Sequence, residues 1–201
     1  MRIVAGTFRG RTLVAPKGHS TRPTADRTRQ ALFNVLEHAA WATPLADARV
    51  MDLFAGSGAL GLEALSRGAA WCTFLDHDDA ARAAIRTNAE TVGVTDRIRI
   101  DRRDAASLTT RAAGDGPPFD LAFLDAPYGQ GLAETALARL ASGGWLTPGA
   151  TVVVERGAAE TGDVRFQSGT GSADPVPPHA AFELLDERTW GAARVSFLRA
   201  S

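Results

Sequence analysis

The apolar residues of the chain fall into short runs that alternate with stretches of helical spacing. Four of the five central runs end at an acidic residue, and the stretches between them place apolar residues three and four positions apart. This alternation predicts βαβ units and a mostly parallel, doubly wound sheet. The predicted strands are Val50–Phe54, Trp71–Asp76, Ile98–Asp101, Leu121–Asp125 and Thr151–Glu155, and the predicted helices are Ala59–Arg67, Asp79–Val92 and Leu132–Ala141.

The N-terminal part of the chain has a different pattern. Arg2–Ala5 and Arg11–Val14, joined by a turn with glycine and arginine, predict a short hairpin that we expect to be an appendage outside the core. A loop follows, and Pro23 and Thr24 are start signals for a helix. That helix is predicted from apolar residues at helical spacing, namely Leu32, Val35, Leu36 and Ala39.

Two segments near the C-terminal end complete the predicted sheet. Phe182–Arg188 and Arg194–Leu198 predict a closing pair of strands, antiparallel at one edge, which gives a sheet of seven strands. We therefore expect a Rossmann-like α/β fold. Residues 1–23 would form a basic hairpin extension and residues 24–201 the main domain.

Composition and charge narrow the class of protein. The chain has 201 residues, of which 45% are hydrophobic and 22% charged, so one globular domain is expected. It has no apolar run of bilayer length and no signal-peptide pattern, and we expect it in the cytoplasm. The net charge is −1, but residues 1–30 carry seven basic side chains and one acidic one. A basic segment on an acidic body is typical of phosphate binding, although a solvated basic tail has the same composition.

A glycine-rich loop follows the first predicted strand. Asp52–Gly61 has the G-x-G-x-x-G spacing between a strand and a helix, which is the context of a nucleotide-binding loop. Asp76 ends the next strand, twenty residues after Gly56, where a carboxylate can accept both ribose hydroxyls of an adenosine. Asp104 follows the third strand, and it could hold an adenine amino group or cap a helix that begins near Ala105.

Asp52 favours one cofactor over another. A carboxylate in the loop region would repel the pyrophosphate of a dinucleotide, whereas it would attract the ammonium group of a methionine moiety. The sequence thus favours S-adenosylmethionine over NAD.

The predicted fourth central strand ends in Asp125-Ala126-Pro127-Tyr128. In a doubly wound sheet this strand lies beside the first, so the segment opens into the same crevice as the glycine loop. The Asp125 side chain and the Ala126 carbonyl could hold both N–H groups of an aromatic amine, while Tyr128 stacks on the base. The other interpretation is an ordinary turn after a buried strand.

The remaining reactive side chains give no second chemistry. The lone cysteine, Cys72, lies in an apolar run and is expected to be a buried thiol. The four histidines are far apart in sequence and do not have the spacing of metal ligands, so we expect no metal. Because the sequence offers no nucleophilic side chain with a neighbouring general base, we expect direct transfer of a methyl group to the amine, without a covalent enzyme intermediate.

In these motifs the chain resembles the bacterial small-subunit ribosomal RNA guanine-N2 methyltransferase family. The resemblance implies a class I methyltransferase fold, S-adenosylmethionine as methyl donor with S-adenosylhomocysteine as product, and the N2 amino group of a guanine as acceptor. The segments that carry it are Met1–Leu13, Arg22–Leu36, Val50–Gly68, Asp125–Tyr128 and Trp190–Gly191.

The same resemblance implies roles for individual residues. The methionine part of the cofactor would be held by Asp52, Gly56 and Gly58, the ribose by Asp76 and the adenine by Asp104, with Phe54 and Ala105 also at the cofactor site. The catalytic residues would be Asp125, Ala126, Pro127 and Tyr128. RNA contacts would come from Arg9, Arg11, Arg22, Arg27 and Arg29.

One position departs from the family pattern. Ala126 stands where the family usually has the first of two prolines, and we expect a less rigid loop at a cost below about 1 kcal/mol. The expected partner is ribosomal RNA within a small-subunit particle, with no membrane and no obligate protein partner. The alternatives are a DNA adenine methyltransferase, for which 201 residues leave little room for target recognition, and an NAD(P)-binding oxidoreductase or inert nucleotide-binding module.

Overall fold

The computed structural model describes residues 1–16, 25–160 and 181–201. Its helices are α1 (Ala25–His38), α2 (Ala59–Ser66), α3 (Asp79–Val92) and α4 (Leu132–Ser142). Its strands are β1 (Arg49–Leu53), β2 (Trp71–Leu75), β3 (Ile98–Asp101), β4 (Phe119–Asp125), β5 (Leu146–Gly157), β6 (Phe182–Trp190) and β7 (Ala193–Ala200). In these parts of the chain, no helix combines the length and the apolar character needed to cross a bilayer.

The seven strands form one sheet in the order β3-β2-β1-β4-β5-β7-β6. The first five pair in parallel, and β7 runs antiparallel to both β5 and β6. The predicted seven-stranded, mostly parallel sheet is confirmed, and β7 accounts for the reversed direction near one edge. Strand order reverses between β1 and β4, and a crevice opens at such a point outside the carboxyl ends of the strands.

The observed elements begin and end within a few residues of the predicted ones, except at β5. This strand starts at Leu146 rather than Thr151, and it runs through Pro148 and Gly149. Its pairing with β4 shifts register between Phe119 and Leu121. A bulge of this kind tolerates proline and glycine inside a strand, which explains why the strand begins before its predicted start at Thr151.

The core has two layers, one on each face of the sheet. On one face α1, α2 and α3 pack against a layer that includes Val50 and Phe123, and on the other α4 packs against a layer that includes Met51 and Leu124. Neighbouring residues of a strand point to opposite faces, so the continuous apolar runs of β1 and β4 supply both layers. The ring of Phe33 on α1 lies 5.6 Å from that of Phe123, measured between centroids.

The N-terminal segment is part of this core. Ile3 and Leu13 are 1% and 3% exposed and belong to the layer under α1 and α2. The predicted hairpin is confirmed: Arg2 and Thr12 form an antiparallel bridge, and the N–H groups of Ile3 and Leu13 donate to the carbonyls of Arg11 and Met1, both at 3.0 Å. The expectation of an appendage is therefore wrong, because apolar residues of this segment, here called the arm (residues 1–16), are buried with the rest. The division into an extension and a domain remains a prediction.

Two polar residues of α2 hold the arm in place. The carboxylate of Glu63, which is fully buried, accepts hydrogen bonds from the backbone N–H groups of Val4 and Ala5 at 2.8 and 3.0 Å. Ser66, the last residue of α2, accepts from the Phe8 N–H at 2.9 Å. Because α2 begins beside the carboxyl ends of the strands, the turn of the arm around Phe8 lies at the amino end of the sheet.

The orientation of α1 follows from an ion pair at its last turn. Glu37 lies 2.7 Å from Arg67, which directly follows α2 at the amino end of the sheet. The last turn of α1 is therefore at that end, and its first turn lies at the carboxyl ends of the strands, about 20 Å away. The helix is confirmed, with Leu32 and Leu36 buried and Ala39 just beyond it. Its predicted start signals, Pro23 and Thr24, lie outside the described residues.

Candidate functional site

Three carboxylates come together at the carboxyl ends of adjacent strands. Asp52 is on β1, Asp76 follows β2 and Asp125 ends β4. Burial raises the pKa of the Asp52 carboxyl well above its usual range, the hydrogen bond from Gly61 opposes that shift, and the charges of Asp125 and Asp76 add to it. These carboxylates therefore act on one another, and a ligand that brings positive charge would be stabilised among them.

The side chain of Asp52, on β1, stabilises the glycine loop. The Asp52 carboxylate accepts a hydrogen bond from the Gly61 N–H at 2.9 Å. A side chain on Gly61 would place its Cβ 2.4 Å from the Phe74 ring and 2.5 Å from the Cys72 sulfur, so this glycine allows α2 to lie close on the sheet. Cys72 is a buried free thiol, as predicted.

The first glycine of the loop faces open space instead. A Cβ on Gly56 would meet only the Phe54 carbonyl oxygen, at 4.0 Å. Phe54 itself has a φ of 58°, an uncommon conformation for a residue with a large side chain. Such outliers cluster at ligand sites. The loop thus leaves room for a ligand at Gly56, whereas Gly61 serves packing.

Asp76 ties the second strand to this loop. One of its carboxylate oxygens accepts from the Gly56 N–H at 2.8 Å and the other from the Asp78 N–H at 2.9 Å. Each carboxylate oxygen has a second acceptor position. Asp76 is therefore oriented by the backbone while it retains capacity for hydroxyl donors.

Asp104 has a structural role that the sequence allowed for. It is exposed, and its side chain accepts from the Ala106 N–H at 2.9 Å as the cap of the short 3-10 turn Ala105–Ser107. The capping interpretation is confirmed. Ala105, the first residue of the turn, is buried at 3% exposure. Contact of either residue with an adenine remains a prediction.

The segment after β4 forms one wall of a small pocket. Asp125 and Pro127 are exposed, Ala126 is buried and Tyr128 is half-buried. The pocket holds about 170 Å³ of empty space, part of which is open to solvent. Its walls include Ala126, Pro127, Tyr128, Leu132, Glu155 and Glu160.

Sequence reasoning assigned no role to two residues at the end of β5. Glu155 accepts the hydroxyl hydrogen of Tyr128 at 2.7 Å, and it is paired in register with Asp125. Arg156, 4% exposed, forms an ion pair with Glu134 in the first turn of α4 at 3.3 Å. A signal for Glu155 was present, because it is another acidic residue at the carboxyl end of a parallel strand.

The arginines assigned to RNA contact do not share one environment. Arg9, Arg11 and Arg27 are exposed, and Arg22 lies outside the described residues. Arg29 is 4% exposed, with Asp26 at 2.8 Å and Glu63 at 3.6 Å, and it also donates to the Arg2 carbonyl. The structure corrects the prediction for Arg29, because a guanidinium enclosed by carboxylates of its own chain cannot reach an external phosphate.

The described residues contain no group of three or more His, Cys, Asp or Glu side chains arranged to hold a metal ion. The expected absence of a metal remains a prediction.

Known proteins resemble the chain in sequence and in structure. The family described as conserved hypothetical protein 95 matches residues 1–168. Ribosomal RNA small subunit methyltransferase D of Escherichia coli (strain K12) is 40% identical over 156 residues, which cover 77% of this chain and 74% of that protein. The protein of the same name from Haemophilus influenzae is 36% identical, covering 77% and 78%. The solved structure of yhhF from Escherichia coli superposes with a TM-score of 0.76 at 31% identity, covering 100% of this chain and 98% of that one.

Proposed function

The chain belongs to the conserved hypothetical protein 95 family, and on that premise we propose that it methylates the exocyclic N2 amino group of a guanine in small-subunit ribosomal RNA, with S-adenosylmethionine as donor. It is a methyltransferase, as its relatives are. The observation that supports S-adenosylmethionine as the donor is the convergence of Asp52, Asp76 and Asp125 on the crevice beside the glycine loop.

The charge at this crevice fits S-adenosylmethionine better than a dinucleotide. The donor carries an ammonium and a sulfonium group, both of which the carboxylates attract, whereas the pyrophosphate of NAD would be repelled. The room at Gly56 and the acceptor capacity of Asp76 also suit this ligand. In the proposed arrangement the methionine part contacts Asp52, Phe54, Gly56 and Gly58, the ribose contacts Asp76, and the adenine contacts Asp104 and Ala105.

The acceptor amine would be held by the segment after β4. When bound, the cofactor supplies an electrophilic methyl group on its sulfonium centre. Asp125 and the Ala126 carbonyl accept the two N–H groups of the amine, which turns its lone pair out of conjugation with the ring. Pro127 restricts the backbone that carries this carbonyl. Tyr128 stacks on the base once the base has flipped out of the RNA helix.

RNA would approach along the arm and the first turn of α1. Arg9, Arg11 and Arg27 are exposed cations of this surface, and residues 1–16 include no acidic side chain. Such cations hold an RNA backbone by neutralising phosphates. We propose that the substrate is ribosomal RNA within a small-subunit particle.

Ligand binding separates this proposal from the dinucleotide alternative. S-adenosylhomocysteine should raise the Tm of the purified protein, because a ligand that binds only the folded state stabilises it. NADH at the same concentration should leave the Tm unchanged. Stabilisation by NADH alone would overturn the cofactor assignment.

Methyl transfer is tested with labelled S-adenosylmethionine on methyl-deficient small subunits, naked 16S RNA and DNA, with the modified nucleoside identified by mass spectrometry. We expect N2-methylguanosine in RNA and no product in DNA. Asp125→Asn should lower kcat about 100-fold while S-adenosylhomocysteine still binds, because one acceptor of the amine protons is weakened. Asp96→Asn, at an exposed site before β3, is the matched control. Wild-type turnover in Asp125→Asn would exclude that role.

A further inference from the structure

We propose that Glu155 is a positioning residue of the acceptor-base site, which fixes the direction of the Tyr128 ring through its hydroxyl group. The inference rests on the proposed function, in which Tyr128 stacks on the base. It assigns a task to a carboxylate that is neither part of the segment after β4 nor part of the glycine loop.

The first observation is the hydrogen bond itself. The Tyr128 hydroxyl donates to Glu155 Oε1 at 2.7 Å. A hydrogen bond to a carboxylate is shorter and stronger than one between neutral groups. It therefore holds the far end of the ring and fixes the direction of the ring's long axis.

The second observation is the contact of the ring with the backbone of β5. A Cβ on Gly157 would lie 3.2 Å from Tyr128 Cδ2 and 3.4 Å from Cγ. The near end of the ring thus packs against a residue without a side chain. Tyr128 is fixed at both ends, by Glu155 at the hydroxyl and by Gly157 at the ring carbons.

The third observation is that the end of β5 is itself firmly held. Glu155 is in register with Asp125 on the parallel neighbour β4, so the two residues are about 4.8 Å apart across the ladder. Arg156 is tied to Glu134 of α4, and the Gly157 N–H donates to Glu160 at 2.9 Å. Glu155 is therefore held in place, and it fixes the position of the Tyr128 ring relative to Asp125.

A ring with a fixed direction matters for transfer to an amine. The base must be presented with its amino group beside Asp125, and small errors in such an alignment reduce the rate steeply. Tyr128 without its hydroxyl contact would still stack, but over a range of angles. Loss of Glu155 should therefore lower the rate of transfer more than the binding of cofactor.

A double-mutant cycle tests this directly. Glu155→Ala and Tyr128→Phe should each lower kcat/KM for the RNA substrate about tenfold, mainly in kcat, the effect of losing one hydrogen bond to a charged group. The double variant should be no slower than either single variant, because both changes remove the same contact. Glu155→Gln retains an acceptor oxygen and should stay within about threefold of wild type. S-adenosylhomocysteine affinity should not change in any variant.

Two results would overturn the inference. Multiplicative losses in the double variant would mean that Glu155 does not act through the Tyr128 hydroxyl. Wild-type kcat in Glu155→Ala would mean that methyl transfer does not depend on this contact. Glu183→Gln on the exposed face of β6 is the matched control and should have full activity. A wild-type protein without any methyl transfer would instead refute the proposed function, so the two failures are distinguishable.

Discussion

The carboxylate of Asp52, a residue that is only 1% exposed, accepts a hydrogen bond from the backbone N–H of Gly61 at 2.9 Å. This contact joins β1 to the first turn of α2 across the glycine loop. It places a buried acid where Asp125 and Asp76 add their negative charge. The same residue thus braces the loop and creates an environment that favours a bound cation.

Asp52→Asn should separate these two effects. The amide oxygen of Asn can still accept from Gly61, while the buried negative charge is removed. We expect the Tm of the ligand-free variant to rise by about 2 °C or more, the shift that about 1 kcal/mol gives in a protein of this size. Affinity for S-adenosylhomocysteine should fall about 10- to 100-fold in calorimetry, because a charge-assisted contact with the ammonium is lost. A less stable variant with unchanged affinity would contradict both parts.

The stability of the ligand-free protein should depend on pH through Asp52. Because the folded-state pKa of this carboxyl is raised above its unfolded value of about 3.9, its contribution is fully present below that value and is lost as pH rises towards the folded-state pKa. Asp52→Asn does not titrate there. The Tm difference between variant and wild type should therefore grow from pH 4 upwards in thermal scans, and a constant difference would disprove the assignment.

Removal of the Glu63 carboxylate should release the arm. Glu63→Ala removes the acceptor of the Arg67 Nε–H and of the backbone N–H groups of Val4 and Ala5, and loss of one member of a buried ion pair costs about 3–5 kcal/mol. Chemical denaturation measures the loss, and hydrogen exchange should show faster exchange at both amides. Glu90→Ala, on the exposed side of α3, should change stability by less than about 0.5 kcal/mol. Unchanged protection at Val4 would refute the role of Glu63.

Charge reversals at Arg27 and Arg9 should differ in their effect on RNA binding. Arg27 is in the first turn of α1, at the carboxyl ends of the strands, whereas Arg9 lies beside the Ser66 contact at the opposite end of the sheet. Arg27→Glu should weaken RNA binding about tenfold or more and reduce the slope of log K against log salt by about one. Arg9→Glu should cost less at the same salt concentration. S-adenosylhomocysteine should bind both variants as it binds wild type, and a larger loss for Arg9 would reverse the proposed RNA path.

The sequence predicts the layered sheet and its functional edge because both follow from local patterns. The apolar runs mark the parallel strands, and the acids that end them lie at one edge whatever the details of packing. Asp76 and Asp125 could be placed together in this way, and Asp52 joined them through the glycine loop that follows its strand. The start of β5 could not be predicted, because Pro148 and Gly149 usually end a strand. They are tolerated here only through a bulge in the pairing with β4.

Contacts between distant polar side chains were harder to foresee. The pairing of Tyr128 with Glu155 spans 27 residues, and no local pattern encodes it. Arg29 is a different case. It lies three and four positions before Leu32 and Phe33, so the helical spacing that marks the buried face of α1 also marks Arg29. Charge alone suggested a surface residue, whereas helical phase would have indicated an interior ion pair.

The docking of the arm has a consequence for the order of folding. Val4 bonds to a side chain 59 residues away, and Val14 bonds to Asn88, 74 residues away. During synthesis the arm emerges well before α2 and α3, so its contacts close long loops and form late. Asn88 also donates to the Ser57 carbonyl in the glycine loop, so one side chain supports both the arm and the loop. A shortened chain without the arm would be an unfinished fold, not a smaller enzyme with weaker RNA contacts.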